Sequence, residues 1–298
     1  MLKNNIIECI GSTPLLKLKG SNIYAKLEYF NPLHSIKDRA ALFMIKGAEE
    51  RGELTAGGTI IEATSGNTGI GLAYIGRQLG YNVILTMPES MSLERRKLLS
   101  ALGATLVLTP AKEGMNGAVK RAKAIKLDTP NAFIPDQFSN EDGALAHYKT
   151  TAQEIITDLG DITPDYLVLA FGSGGSITGI SRAFREVYPN IKVVAVEPAE
   201  SPLLSKGISA GHGIQGIGAN FVPKLINRND IDRIIAVPTE TAIATAKMAI
   251  RDFGTLCGIS SGANIAASIQ IQKENRDANI VTVLADTGER YISGALFD

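Results

Sequence analysis

Short runs of β-branched and other apolar residues alternate along the chain with segments of helical periodicity. The apolar runs predict strands at 59–63, 82–87, 105–109, 166–170, 192–197 and 279–284. The periodic segments predict helices at 69–79, 93–102, 117–127, 140–158, 177–187, 239–253 and 263–273. Strands that alternate with helices at this spacing indicate βαβ units and mostly parallel sheets, buried between layers of helices.

Three glycine-rich segments stand where such a fold places ligands. Segment 64–69 (TSGNTG) follows one predicted strand, and segment 172–176 (GSGGS) follows another. Segment 258–262 (GISSG) precedes a predicted helix. Because α/β sheets bind ligands beyond the carboxyl ends of their strands, these segments are the first candidates for a site.

The segment 172–179, GSGGSITG, lies between a predicted strand and a predicted helix. Its glycines let several backbone N–H groups converge, and the start of the helix adds positive potential. The hydroxyl groups of Ser173, Ser176 and Thr178 can donate to phosphate oxygens. No lysine follows directly, so the loop is not of the Walker A type. The pattern favours a phosphate-binding loop.

A dinucleotide site and a plain tight turn are the alternatives for the same loop. Gly172 and Gly174 open a GxG motif, and Glu197 ends the next predicted strand, where a carboxylate could bind a ribose. The third glycine position is Ile177, although close packing there calls for glycine or alanine. An NAD-dependent oxidoreductase would also leave the other two glycine-rich segments unexplained.

Segment 64–69 combines hydroxyl and amide side chains with two glycines at the start of a helix. A carboxylate can bind such a loop through backbone N–H and hydroxyl groups. A polar helix N-cap explains the same residues without a ligand. The glycines allow a close backbone approach, and they favour the ligand.

An amine and a second hydroxyl complete the set of candidate groups. Lys37 stands early in a helical stretch beside Asp38 and Arg39. A lone lysine is usually a solvated surface residue, but a desolvated lysine near other cations can be neutral and form an imine. Ser260 could meet a pyridine nitrogen, and a neutral serine there favours elimination chemistry over deeper carbanion chemistry.

Composition narrows the function classes. The 298 residues carry a formal net charge of zero and are 45% hydrophobic and 20% charged. No nucleic-acid or membrane-surface partner is therefore expected. No apolar run approaches the roughly 20 residues of a membrane span, and the start lacks a signal-peptide pattern, so we expect a cytoplasmic protein. The two cysteines and three histidines lack ligand spacing, and no metal site is expected.

The motifs together resemble cysteine synthase (O-acetylserine sulfhydrylase), one of the fold type II pyridoxal-phosphate enzymes. The segments that carry the resemblance run from about Gly11 to the end, in the family's order: NPLHSIKDR, EATSGNTGIGLA, DQFSN, GSGGSITG, QGIGANF, GISSGAN and GERYISGALF. The resemblance implies an α/β fold with two parallel-sheet-rich, three-layer domains, as in the β subunit of tryptophan synthase. A smaller, mobile substrate-binding domain would comprise 35–144. The larger cofactor-binding domain would combine 13–34 with 145–298.

The resemblance also implies a role for each motif residue. Lys37 would hold pyridoxal 5'-phosphate as a Schiff base and move the substrate α-proton. Asn67 would bind the phenolic oxygen of the cofactor, and Ser260 would face its pyridine nitrogen. The phosphate would be bound by Gly172, Ser173, Gly174, Gly175 and Ser176. The substrate would be bound by Thr64, Ser65, Asn67, Thr68 and Gln137.

The implied reaction is β-elimination followed by β-replacement through an aminoacrylate, so that O-acetyl-L-serine and sulfide give cysteine. The alternative starts from L-cysteine, releases hydrogen sulfide and adds water or a thiol, which gives serine, lanthionine or cystathionine. Water addition would profit from a general base. Asp232 is the candidate for that base, and a structural ion pair is the alternative role for its carboxylate.

Two departures from the family pattern touch the substrate side. His34 stands where small residues are common, and Asn220 stands where glycine is usual. Both are candidates for setting the preferred substrate. The expected protein partners are a second copy of the chain, forming a homodimer, and the C-terminal tail of serine acetyltransferase. A catalytically silent binding protein on the same fold is the remaining alternative, although the chain retains Lys37, Asn67 and Ser260.

Overall fold

The structure is a computed structural model that describes residues 2–298. Its strands are β1 (Leu15–Lys17), β2 (Ile23–Leu27), β3 (Thr59–Ala63), β4 (Asn82–Pro88), β5 (Thr105–Thr109), β6 (Ala132–Phe133), β7 (Tyr166–Ala170), β8 (Lys192–Pro198), β9 (Arg233–Val237) and β10 (Ile280–Leu284). Its α-helices are α1 (Lys37–Glu50), α2 (Asn67–Gln78), α3 (Leu93–Ala101), α4 (Gly114–Asp128), α5 (Glu141–Ala146), α6 (Ala152–Leu159), α7 (Gly175–Val187), α8 (Leu203–Lys206), α9 (Thr239–Phe253) and α10 (Ile259–Glu274).

The chain divides into two compact units. Unit 2 is Lys37–Gly143, and unit 1 comprises the chain up to Ile36 together with Ala144–Asp298. Short 3₁₀ segments occur at Ile6–Cys9, Glu28–Phe30, Ala111–Glu113, Arg228–Asp230 and Gly288–Tyr291. Within the described residues, no helix is long and apolar enough to cross a bilayer.

Unit 1 is built on a six-stranded sheet with the order β1-β2-β10-β7-β8-β9. Its strands are parallel except for β1, which pairs antiparallel with β2. Val168 and Val194 pack on one face with residues of α9 and α10, whereas Leu167 and Val193 pack on the other face with residues of α6 and α7. Both faces are thus covered by helices, which explains why these strands read as continuous apolar runs.

Unit 2 is built on a four-stranded parallel sheet with the order β5-β4-β3-β6. Ile61 and Ala63 of β3 pack with Ala118 and Ala122 of α4 on one face. Ile60 lies against Gly76 of α2, which covers the other face. Each unit is therefore a three-layer α/β structure, as the alternation of strands and helices predicts.

The predicted helix 140–158 is the one element that differs in kind. The structure divides it into α5, a π-helical turn at His147–Thr151, and α6. Gly179 of α7 packs against this turn, because a Cβ at Gly179 would collide with the carbonyl oxygen of Ala144 and with His147. A π-helical turn widens the helix locally, and here it faces a glycine of the neighbouring helix.

Candidate active site

In unit 1, the loop 172–176 leads from the carboxyl end of β7 into α7. Gly174 is the N-cap of α7 and has a φ of 92°, a left-handed conformation that glycine adopts without strain. The first intrahelical bond runs from Thr178 N to Gly174 O at 3.0 Å. The N–H groups of the helix residues before Thr178 lack an intrahelical acceptor, which is the arrangement that binds anions at helix starts.

Close backbone packing holds this loop in place. A Cβ at Gly172 would collide with the carbonyl oxygen of Gly216, and a Cβ at Gly174 would lie 2.9 Å from Cγ1 of Ile226. The hydroxyl of Thr178 donates to Leu225 O at 2.7 Å. The glycines of the loop are therefore required by the chain that packs behind it, in addition to any ligand.

Ser260 lies in the first turn of α10 and is 5% exposed. The neighbouring hydroxyl has a structural partner, because Ala285 N donates to Ser261 Oγ at 3.0 Å. The helix start is fixed by the bond from Gly258 N to Asp286 O at 2.9 Å. Of the two serines, Ser260 is thus the one whose hydroxyl suits a ligand.

Asp232 immediately precedes β9, at the opposite end of the sheet of unit 1. Its Oδ2 accepts from Val193 N at 2.8 Å and lies 3.2 Å from Nη2 of Arg185, with both side chains about a third exposed. Val193 is the second residue of β8 and pairs with Leu167 of β7, so roughly 10 Å of strand separates this level from Ala170, after which the loop 172–176 begins. These contacts favour the structural ion pair over the catalytic base.

Glu197 also has a structural role. Its carboxylate is 1% exposed and accepts from Leu204 N at 2.8 Å and Ser205 N at 3.3 Å, which caps the start of α8. Ile177, at the third position of the GxG motif, is 2% exposed in the core. Neither residue therefore serves a dinucleotide.

In unit 2, Lys37 is the first residue of α1, and a glycine contact fixes its place. A Cβ at Gly71 of α2 would lie 2.9 Å from Cβ of Ala41 and 3.3 Å from Lys37 O. Gly71 thus lets α2 approach the first turn of α1. Asn67 lies four residues before Gly71 and on the same face of α2. The structure therefore brings the helix start that carries Lys37 beside the one that carries Asn67.

The loop 64–69 of unit 2 is held by its own polar side chains. Gly66 N donates to Thr64 Oγ1 at 3.3 Å, and the hydroxyl of Ser65 lies 2.9 Å from Sδ of Met91. The hydroxyl of Thr68 donates to Gln137 Oε1 at 2.6 Å, although the two residues are 69 positions apart. The structure thus brings Gln137 to the loop, as the motif resemblance implies.

A buried glutamate that sequence reasoning missed supports Gln137. Glu62, the penultimate residue of β3, is 5% exposed, and its Oε2 accepts from Asp136 N at 2.9 Å. Burial raises the pKa of Glu62 to about 8. Asp136 has a φ of 48° and its carbonyl accepts from the N–H groups of Ser139 and Asn140. The only signal in the sequence was a carboxylate within an apolar strand directly before the loop.

The two substrate-preference candidates lie outside these loops. His34 is exposed, has a φ of 59°, and its Nδ1 lies 3.2 Å from Tyr29 O. Asn220 is exposed in the irregular segment before Pro223. Among residues 2–298, no three histidine, cysteine, aspartate or glutamate side chains gather to hold a metal ion.

Comparison with known proteins assigns the chain to a family. The model of a family described as pyridoxal-phosphate dependent enzyme matches residues 6–286. Cysteine synthase B of Campylobacter jejuni is 51% identical over 294 residues, which cover 98% of both chains. Cysteine synthase of Staphylococcus aureus is 45% identical and covers 99% of this chain and 97% of its own.

Solved structures agree over the whole chain. O-acetylserine sulfhydrylase isoform 3 of Entamoeba histolytica has a TM-score of 0.95 and 40% identity, and covers 100% of this chain and 92% of that one. A hydrogen sulfide-producing enzyme of Fusobacterium nucleatum has a TM-score of 0.93 and 36% identity, with coverages of 98% and 90%.

These similarities confirm the predicted α/β fold and the predicted cofactor, and they show that the dinucleotide alternative was wrong. Each unit by itself offers groups that suit a part of pyridoxal 5'-phosphate. In unit 1 a left-handed Gly174 shapes a loop of backbone donors that suits a phosphate, and in unit 2 a lysine begins a helix beside Asn67. This chain belongs to the family of pyridoxal-phosphate dependent enzymes.

Proposed function

We propose that the protein is a cysteine synthase that makes cysteine from O-acetyl-L-serine and sulfide by β-elimination and β-replacement. The observation that carries the proposal is the arrangement in unit 2, where Gly71 lets the Lys37 end of α1 approach α2, the helix that begins with Asn67 and Thr68. An amine and a carboxylate-binding loop are the two groups that an amino-acid substrate requires. Relatives named cysteine synthase, 45–51% identical over nearly the full chain, support this choice.

Pyridoxal 5'-phosphate, when bound, supplies an electron sink for negative charge at the substrate α-carbon. In our proposal Lys37 holds the cofactor and moves the α-proton. The loop 172–176 binds the phosphate through backbone N–H groups and the hydroxyls of Ser173 and Ser176. Ser260 faces the pyridine nitrogen, and Asn67 binds the phenolic oxygen.

The substrate carboxylate is assigned to Thr64, Ser65, Thr68 and Gln137. The start of α2 favours an anion because its first N–H groups have no acceptor within the helix and because of the helix dipole. Since the hydroxyl of Thr68 donates to Gln137 Oε1, the amide nitrogen of Gln137 remains to donate to a ligand. Thr68 therefore orients Gln137 as a donor toward a carboxylate.

Release of hydrogen sulfide from L-cysteine is the second candidate, and similarity to the Fusobacterium enzyme supports it. We rank it below cysteine synthesis, since the identity to that enzyme is 36% and the cysteine synthase relatives reach 51%. The formation of serine also loses its candidate base, because the carboxylate of Asp232 pairs with Arg185 at the far end of the sheet.

The proposal extends to organisation. The segment 35–144 is assigned as the smaller, mobile substrate-binding domain, and 13–34 with 145–298 as the larger cofactor-binding domain. A homodimer in the cytoplasm, able to bind the C-terminal tail of serine acetyltransferase, completes the assignment. The motif resemblance supports these points.

The test compares two reactions of the purified holoenzyme: cysteine formed from O-acetyl-L-serine and sulfide, and sulfide released from L-cysteine alone. We expect the first to be faster, and Lys37→Ala to abolish both together with the visible absorption of the bound cofactor. Lys46→Ala, a change to an exposed lysine on the same helix, is the matched control and should retain both. Faster sulfide release would reverse the ranking, and activity that survives Lys37→Ala would remove Lys37 from the mechanism.

A further inference from the structure

His212 holds both ends of a tight loop in unit 1. Its Nδ1 accepts from Ile214 N at 3.3 Å, and its Nε2 lies 3.0 Å from Gly218 O. Because Nδ1 accepts an N–H, the proton of the neutral ring must be on Nε2, which then donates to the carbonyl of Gly218. The ring thus closes residues 212–218, which we call the histidine loop.

The histidine loop fits the ring closely. Gly218 has a φ of 66°, and a Cβ there would lie 2.5 Å from Nε2 of His212 and 2.8 Å from Cγ of Pro198. Ile214 is completely buried in the core of unit 1. Gly213 N donates to Thr239 Oγ1 at 3.0 Å, which attaches the loop to the start of α9. The ring therefore joins a segment that is already anchored at one end.

The other end of the histidine loop supports the phosphate loop. Gly218 N donates to Phe171 O at 3.2 Å, directly before the loop 172–176. Gly216 has a φ of 92°, and its carbonyl occupies the space that a side chain at Gly172 would need. Residues 216 and 218 therefore pack directly behind the start of the loop 172–176.

We propose that His212 is a positioning residue for cofactor phosphate binding: by bridging Ile214 N–H and Gly218 C=O, it holds the histidine loop against Phe171 and Gly172 in the geometry that presents the backbone donors of 172–176. This inference rests on the proposed assignment of that loop to the phosphate. His212 itself touches neither cofactor nor substrate in this role.

The experiment titrates the apoprotein with pyridoxal 5'-phosphate and, separately, with pyridoxal, which lacks the phosphate, and follows the visible absorption of the lysine-bound cofactor. His212→Ala removes both bonds, and we expect about tenfold weaker binding of pyridoxal 5'-phosphate with unchanged binding of pyridoxal. His212→Gln, which keeps a side-chain N–H able to reach Gly218 O, should lie between wild type and His212→Ala. Lys206→Ala, at an exposed position earlier in the same connection, is the matched control and should bind as wild type.

Thermal unfolding of each apoprotein separates positioning from a general structural role. We expect His212→Ala to unfold near the wild-type temperature while its phosphate-dependent affinity falls. Equal losses for pyridoxal and pyridoxal 5'-phosphate, or no loss for either, would overturn the proposal. If His212→Ala does not fold, the same comparison made with His212→Gln decides the question.

The titration of the wild type tests the proposed function separately. Tighter binding of pyridoxal 5'-phosphate than of pyridoxal supports a phosphate site, and a loss of that preference in Gly172→Ala assigns the site to the loop 172–176. With the preference present in wild type and unchanged in His212→Ala, only the role of His212 falls. With no preference in wild type, the phosphate-loop assignment falls, and the role of His212 falls with it.

Discussion

The loop 64–69 in unit 2 and the loop 172–176 in unit 1 are both proposed to bind an anion, and each is held in shape in a different way. Each follows a parallel strand and starts a helix. The first is held by side chains, through the bond between Thr68 and Gln137, and the second by backbone packing of Gly172 against Gly216. Backbone donors need fixed main-chain geometry, whereas side-chain donors need partners that fix their orientation. Adding atoms should therefore damage the second loop, and removing polar atoms should damage the first.

The largest effect is expected from Gly172→Ala, which disturbs the backbone packing of the loop 172–176. The new Cβ would collide with Gly216 O, and overpacking of this kind costs about 1–3 kcal/mol. We expect up to about a hundredfold weaker binding of pyridoxal 5'-phosphate. Gly211→Ala is the matched control, because a Cβ at Gly211 meets nothing within 4 Å, and it should bind normally. Normal cofactor affinity in Gly172→Ala would show that the packing can yield.

Glu62→Gln should change how the free energy of unfolding depends on pH. Glu62 supports the loop 64–69 indirectly, because it binds Asp136 N beside Gln137. Burial raises the pKa of Glu62 from 4.5 to about 8, so between those pH values the folded protein keeps a proton that the unfolded chain releases. Stability conferred by this group is therefore present below pH 4.5 and is lost as the pH rises toward 8, with a slope of up to about tenfold in the unfolding equilibrium per pH unit. Glutamine does not titrate, and its oxygen can still accept from Asp136 N.

Urea unfolding of wild type and Glu62→Gln at several pH values between 5 and 9 measures this slope. The difference in unfolding free energy should move in favour of Glu62→Gln as the pH rises. Glu50→Gln, at an exposed end of α1, is the control and should keep the wild-type slope. Parallel pH profiles for wild type and Glu62→Gln would show that Glu62 does not titrate in this window.

Thr68→Val should weaken substrate binding at the loop 64–69 while leaving the loop 172–176 intact. Valine keeps the shape but removes the hydroxyl that orients Gln137, and a lost hydrogen bond of this kind corresponds to about tenfold. We expect a KM for O-acetyl-L-serine raised by about that factor with an unchanged affinity for pyridoxal 5'-phosphate. Thr105→Val, at an exposed position on β5, is the control. A fall in cofactor affinity instead would show that the loop 64–69 also affects cofactor binding.

Asp232→Asn should have the smallest effect, because the residue serves neither loop. The ion pair with Arg185 is partly exposed, and such pairs contribute less than about 1 kcal/mol. Serine formed from L-cysteine should be unchanged, and the unfolding midpoint should fall only slightly. A marked loss of serine formation would restore Asp232 as a candidate base.

Each strand that the sequence predicted carries a short run of β-branched and other apolar residues. β2 was not predicted, because its run contains Lys26, which is fully buried and lies 3.1 Å from Glu154 and 3.0 Å from Asp158. Both partners come from α6, far along the chain, and no local pattern indicates that a lysine can be buried there. β9 was not predicted either, although Ile235 and Val237 are buried on either side of the exposed Ala236.

In the candidate site, too, local features could be predicted from the sequence, and contacts between distant residues could not. Glycine patterns indicated both loops, since a strand, a turn and a helix start are local features. Glu62 was missed because its partner, Asp136, lies 74 positions away. Asp232 was placed near the site because it follows the segment 215–221 closely in sequence. The structure places it before β9, and a strand that runs parallel to its neighbours carries its first residue to the far end of the sheet.

The π-helical turn at His147–Thr151 gives unit 1 a one-residue tolerance that a regular helix would not have. A residue inserted into a regular α-helix rotates everything after it by about 100°. A π-helical turn takes up one extra residue in a wider turn, so Ala144 faces Gly179 while Ile155 and Leu159 still pack in the core. Loss of one residue at this turn should therefore leave a regular helix with both contacts in phase.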